Sequence, residues 1–183
     1  MNEPIRPREI RRIYEGRIFT VQLETLTLPN GGEFKAEIIR HPGSVVIVPV
    51  TAAGEIVLVR QYRHAIGRHA WELPAGSLKP GEDEAAAAKR ECHEEIGLVA
   101  EQLERVGSFY PTPGYCDEEM NFFVARGLRD ARAGDEAAHA DEDEEIEARA
   151  FTPADIERMI GAGEIIDLKT VAGLYLLGRA SPR

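Results

Sequence analysis

Glu91, Glu94 and Glu95 fall within five consecutive residues, and Glu82, Glu84 and Arg90 stand just before them in the stretch GSLKPGEDEAAAAKRECHEEIGL, residues 76–98. On a helix of 3.6-residue period, Ala85, Ala88, Cys92 and Ile96 share a stripe that can bury against a core, and Glu91 and Glu95 lie one turn apart beside it. Glu84 is near them and Glu94 is further round. Like charges at this spacing repel by roughly a few tenths of a kcal/mol, so local helix stability does not account for them. A hard divalent cation does, because Mg²⁺ takes carboxylate and water oxygens and joins one or two protein carboxylates to a substrate phosphate. The competing meaning of such a run, a solvated acidic face, is the commoner one in general.

The elements that must position these groups are legible. Gly76-Ser77-Leu78-Lys79-Pro80-Gly81 is a Gly/Pro-punctuated loop, and residues 82–96 run without a breaker to Gly97, at the place a helix C-terminus prefers. Gly76, then Glu82 after five residues, then Arg90-Glu91-Cys92, Glu94-Glu95 and Gly97-Leu98 after seven more resembles the signature of the Nudix hydrolases. The departure is Cys92, where the family usually carries an aliphatic residue, and a buried free Cys behaves as a small hydrophobe. The resemblance implies metal-dependent attack of water on a pyrophosphate, with Mg²⁺ or Mn²⁺ as the cation. It implies Glu91 and Glu95 as metal ligands, Glu94 as a further ligand or base, and the carbonyl of Ala75 as another ligand. Gly76, Glu82, Arg90 and Gly97 match positions that shape the loop and helix.

Composition narrows the partners. The chain has 183 residues, ample for one domain with a small appendage, and a net charge of −10. No Lys/Arg cluster forms a stripe, which argues against a nucleic-acid surface. An acidic protein acting on an anionic phosphate needs cations to offset repulsion. There is no apolar run of the kind a signal segment needs and none of the roughly 18 residues that span a membrane. The expectation is a cytoplasmic protein without membrane partners. Cys92 and Cys116 make neither a disulfide framework nor a zinc spacing. The five histidines, His41, His64, His69, His93 and His139, show no ligand spacing apart from the scattered pair His64 and His69, and all are left out of the site.

Along the chain, residues 17–28 alternate apolar and polar, Pro29-Asn30-Gly31-Gly32 supplies a turn, and residues 33–40 form a second extended run, a hairpin too small to stand alone. His41-Pro42-Gly43 marks a boundary, giving an N-terminal region 1–42 and a main domain 43–183. Residues 44–50 read as a strand buried on both faces, and 56–63 as a second strand ending in basic residues. Further strands are expected at 106–110, 120–125 and 146–151, and 127–144 reads as an acidic, structureless loop. Thr152-Pro153 starts a helix. A last helix covers 167–177, with Leu168, Val171, Leu174 and Tyr175 as its candidate buried face. Strands on both sides of a long helix give an α/β class. This agrees with what the resemblance implies, an α/β/α sandwich around a mixed sheet, here with an N-terminal β-hairpin subdomain.

Three features outside the signature resemble the ADP-ribose pyrophosphatase branch of the family: the loop holding Pro113 and Gly114, the N-terminal hairpin, and the acidic run at 140–146. The branch implies ADP-ribose as the nucleoside diphosphate sugar substrate and a homodimer that exchanges the hairpin. It implies Glu144 as the general base, with Glu142 as second choice, Arg63 as a diphosphate contact, and Pro113 and Gly114 at the substrate. Tyr14, Phe19 and Trp71 are open between base stacking and packing. The alternatives are another sugar nucleotide such as GDP-mannose, and a non-catalytic ADP-ribose-binding module.

Overall fold

The structure, a computed structural model, describes residues 6–133, 135 and 146–180. In chain order its strands are β1 (Pro7–Glu15), β2 (Thr20–Thr27), β3 (Glu33–Arg40), β4 (Ser44–Pro49), β5 (Ile56–Arg63), β6 (Arg68–Glu72), β7 (Ala75–Ser77), β8 (Leu98–Phe109), β9 (Met120–Asp130) and β10 (Glu147–Phe151). Helix α1 (Glu84–Ile96) lies between β7 and β8, and α2 (Pro153–Gly161) and α3 (Leu168–Leu177) follow β10.

The strands form three sheets. A four-stranded sheet in the order β7-β4-β9-β8 is mixed, with β4 and β9 parallel and the other pairs antiparallel. Beside it lies β10-β5-β6, and β1-β2-β3 is an N-terminal sheet. Every residue of β4 is buried, as its continuous apolar sequence predicts, and its alternating side chains feed two cores. Val46 and Val48 join Phe122, Val124, Leu58, Ile156 and Leu176 on the side of α2 and α3. Val45 and Ile47 join Phe123 and Ala125 against Ala87, Ala88 and Cys92 of α1. Helices therefore cover both faces of the mixed sheet, the expected sandwich, and each fully buried Val, Ile or Phe contributes about 1.5–3 kcal/mol.

Three expectations change. The β2/β3 hairpin is present, its turn closed by the Leu28 N–H to the Gly32 carbonyl at 2.8 Å, but β1 adds a third strand along β2. The sequence of β1, PREIRRIYE, hides this because an exposed edge strand tolerates Pro and charges that break the alternating pattern. Next, β8 begins directly after Gly97 and β9 continues to Asp130, pairing with Leu98, so the first residues assigned to the acidic loop belong to a strand. Finally, α3 is rotated from its expected face. Leu168 and Tyr175 are 67% and 65% exposed, while Thr170, Gly173 and Leu176 are buried. The reason is close packing: a Cβ on Gly173 would lie 2.4 Å from Leu73 Cδ1, so the helix approaches the sheet on its smallest residue. Among the described residues, no helix is long and apolar enough to cross a membrane.

Candidate active site

Helix α1 starts where the loop ends because Asp83 caps it, its Oδ1 accepting the Ala85 and Ala86 N–H groups at 3.0 Å each. Such a cap is worth about 1 kcal/mol. It ends at Gly97, whose φ of +71° is left-handed and whose N–H reaches the His93 carbonyl. Cys92 sits wholly in the core, and burial pushes its thiol up to about 12, which leaves it unreactive.

Arg90 is the hub of the loop and helix. Its Nε and Nη2 grip Glu82 at 2.8 and 3.0 Å, and its Nη1 donates to Glu91 at 2.6 Å and Glu94 at 2.7 Å. Glu82 also accepts the Lys79 N–H at 2.9 Å, which pins the loop to the helix. The Arg90 guanidinium holds the Glu82 carboxyl below the usual carboxylate range, and the three carboxylates drive the guanidinium further up from its already high value. Arg90 and Glu82 thus tie the loop to the helix.

Glu91 and Glu95 are buried under the β7 edge. Glu95 Oε2 accepts the Ala75 N–H at 3.0 Å. At the next residue, a Cβ on Gly76 would lie 2.0 Å from Glu91 Cδ and Oε1, so only glycine admits the carboxylate there. Ala75, Gly76, Glu91 and Glu95 are brought together. Glu94 points away toward a groove with Arg90, Lys79 and His93 on the outer side of α1.

Ala75 and Gly76 open onto a cleft of ≈ 470 Å³ that Arg63, Glu72 and Lys169 also line. Arg63 binds Glu72 in a two-point fork, Nε to Oε1 at 2.9 Å and Nη2 to Oε2 at 2.6 Å. Arg60, three residues before it, pairs with Glu147 at 3.6 Å instead. Glu72 and Lys169 are the residues that sequence reasoning missed in this cleft. The available signal was a lone glutamate between Trp71 and Leu73 in an otherwise apolar approach to the loop. Burial pushes the Glu72 carboxyl up, but Arg63 and Lys169 outweigh it and hold it below the usual range.

Other predicted residues stand elsewhere. Pro113 and Gly114 are exposed and do not line the cleft, although Glu118 and Met120 further along that segment do. Asp117 of the same segment anchors the N-terminal sheet by accepting Arg40 Nη1 at 2.9 Å and the His41 N–H at 2.8 Å. Trp71 packs edge-on against Phe151, with ring centroids 4.8 Å apart, which is a core role. Tyr14 and Phe19 are exposed, 6.0 Å apart. Glu142 and Glu144 lie outside the described residues.

Among the described residues, no three His, Cys, Asp or Glu side chains are arranged to hold a metal by themselves. The donors nevertheless fit a hard cation: Glu91 and Glu95 are oxygen donors next to a backbone segment opened by Gly76. Arg90 supplies the positive charge that Glu91 and Glu94 share.

A loop pinned by Glu82 and Arg90 to a glutamate-rich helix, set under a mixed sheet between helices, defines a class. Residues 40–172 match the family model described as NUDIX domain, and the chain belongs to the Nudix family. It is 36% identical over 166 residues to an ADP-ribose pyrophosphatase of Bacillus subtilis (strain 168), covering 91% of this chain and 88% of the relative. A methanol dehydrogenase activator of Bacillus methanolicus is 39% identical over the same shares of the two chains. The crystal structure of an ADP compounds hydrolase shares the fold, with a TM-score of 0.82, 24% identity, and coverage of 97% of this chain and 94% of that one.

Proposed function

We propose that the protein hydrolyses the pyrophosphate bond of ADP-ribose to AMP and ribose 5-phosphate, in the cytoplasm and with Mg²⁺ or Mn²⁺. The observation that carries this reading is the meeting of Gly76 with Glu91 and of Ala75 with Glu95 beside a cleft that Ala75, Gly76 and Arg63 all line. The name of the Bacillus subtilis relative supports the substrate. Glu91, Glu95 and the Ala75 carbonyl would hold the cation, with Glu94 adding a ligand once released from Arg90. The cation supplies charge neutralisation at the phosphate oxygens and a lowered pKa for bound water. Arg63 binds the diphosphate as a planar donor. Water adds through its oxygen to one phosphorus, the bridging P–O bond breaks, and a carboxylate takes the water proton. Glu144 is the first choice for that base and Glu142 the second.

The N-terminal sheet is proposed to pair two copies of the chain, and Pro113 and Gly114 to meet substrate at the completed site. Ile10 and Phe34, whose cross-strand partners Glu24 and Leu26 share one face of that sheet, are both exposed, apolar groups suited to contact with a second copy. Light scattering that gives a monomer mass would refute the pairing.

The substrate is tested by ion-exchange separation of products from ADP-ribose, ADP-glucose, GDP-mannose, NADH and diadenosine polyphosphates. Fastest release of AMP and ribose 5-phosphate from ADP-ribose is expected. A faster rate on GDP-mannose would move the assignment to another sugar nucleotide, and binding of ADP-ribose without any product would indicate a sensor.

A further inference from the structure

Glu72 is only 2% exposed, yet it meets two cations. Arg63 grips both its oxygens, and Lys169 Nζ of α3 donates to the same Oε2 that Arg63 Nη2 contacts. Lys169, with its side chain 9% exposed, also reaches Asp167 Oδ2 at 3.0 Å. That oxygen accepts the Thr170 N–H at 3.0 Å and its hydroxyl at 2.6 Å. Thr170 Oγ1 in turn accepts the Leu73 N–H at 2.8 Å. The chain of contacts runs from Arg63 through Glu72, Lys169, Asp167 and Thr170 back to the residue after Glu72. It ties α3 to the segment that leads into Ala75 and Gly76.

Buried at Glu72 and Lys169 and joined at each member, such a network fixes its geometry better than an exposed ion pair. The Arg63 fork uses Nε and Nη2 and leaves Nη1 outside it. Lys169 separates the Glu72 and Asp167 carboxylates. Without it, two like charges would face each other with Arg63 as the nearest cation, and the guanidinium would be drawn off the cleft wall toward both.

We propose that Lys169 is a positioning residue for substrate binding: by sharing Glu72 and screening Asp167 it holds Arg63 on the cleft wall with one nitrogen turned over to the diphosphate. This rests on the cleft being the diphosphate site.

The test is a double-mutant cycle in the full chain, using whichever compound of the panel the wild type cuts fastest. Lys169→Met should raise KM about tenfold or more and change kcat less than about threefold, and Lys169→Arg should recover most of the loss. In an Arg63→Ala background, Lys169→Met should raise KM no further, because its effect passes through Arg63. KM effects that multiply in the double variant, or a loss confined to kcat, would overturn the proposal. If Lys169→Met does not fold, Lys169→Gln is read on the same cycle. A wild type that prefers a compound other than ADP-ribose refutes the substrate assignment and leaves this test standing. A wild type that cuts nothing overturns both.

Discussion

Gly76 faces Glu91 so closely that a Cβ on the glycine would overlap the carboxylate, at 2.0 Å from its Cδ and Oε1. The obstacle is a side-chain end, so the fold can yield by moving Glu91. Gly76→Ala should melt within a few degrees of wild type and lose about a hundredfold in kcat/KM, since a displacement near 1 Å has that effect on a reacting group. Activity near wild type would show that the contact does not position Glu91 for chemistry.

The general base is assigned by exchange of single charges in the acidic run. Glu144→Gln should lower kcat by about 10²–10⁴-fold with KM little changed, the range for loss of a positioned base. Glu142→Gln should have a small effect. The reverse pattern transfers the role to Glu142, and two mild variants would remove the base from this acidic run.

Acid stability follows from Glu72 and Glu82. Both carboxyls are held below their ordinary values, Glu72 against the pull of burial and Glu82 by Arg90. The unfolded chain, with glutamates at about 4.3, therefore takes up protons first as pH falls. The stability they contribute is full above the unfolded value and is lost as pH drops through the folded ones. Arg63 and Arg90 are shifted upward and stay charged across this window. Urea midpoints should hold from pH 7 to about 5 and then fall steeply, and Glu72→Gln should start lower and fall less. A wild-type midpoint unchanged at pH 3.5 would contradict the linkage.

On α3, Gly173 lets the helix sit against the sheet. Gly173→Ala places a methyl 2.4 Å from Leu73 Cδ1 and 3.3 Å from Val48 Cγ2, both fully buried residues. Overpacking of this kind costs about 1–3 kcal/mol. Chemical denaturation should show that loss, and a variant as stable as wild type would mean the helix can shift outward freely.

These sites differ in how far the sequence disclosed them. The motif helix was legible because Gly97 and the Ala88/Cys92 stripe each act locally, through a C-terminal signal and periodicity, while its N-cap, Asp83, emerged only in the structure. The strand β4 was legible because burial on both faces leaves an unbroken apolar run. Strand β1 was not, since its partner β2 supplies the reason for it to be extended. The face of α3 was misread because Gly173 and Thr170 pack closely through small size and one hydrogen bond, while hydropathy favours Leu168 and Tyr175. Glu72 and Lys169 are 97 residues apart, and no local pattern announces a pair that only the fold brings together.

The most direct measurement is release of AMP from ADP-ribose by protein stripped with chelator and then titrated with Mg²⁺, beside Glu95→Gln treated identically. Expected is no turnover without metal, saturable recovery in the wild type, and at least about a hundredfold less in the variant, whose amide can still accept the Ala75 N–H but carries no charge for the cation. Turnover that persists in the stripped protein, or a Glu95→Gln variant that recovers like wild type, would contradict a metal-dependent site built on Glu91 and Glu95.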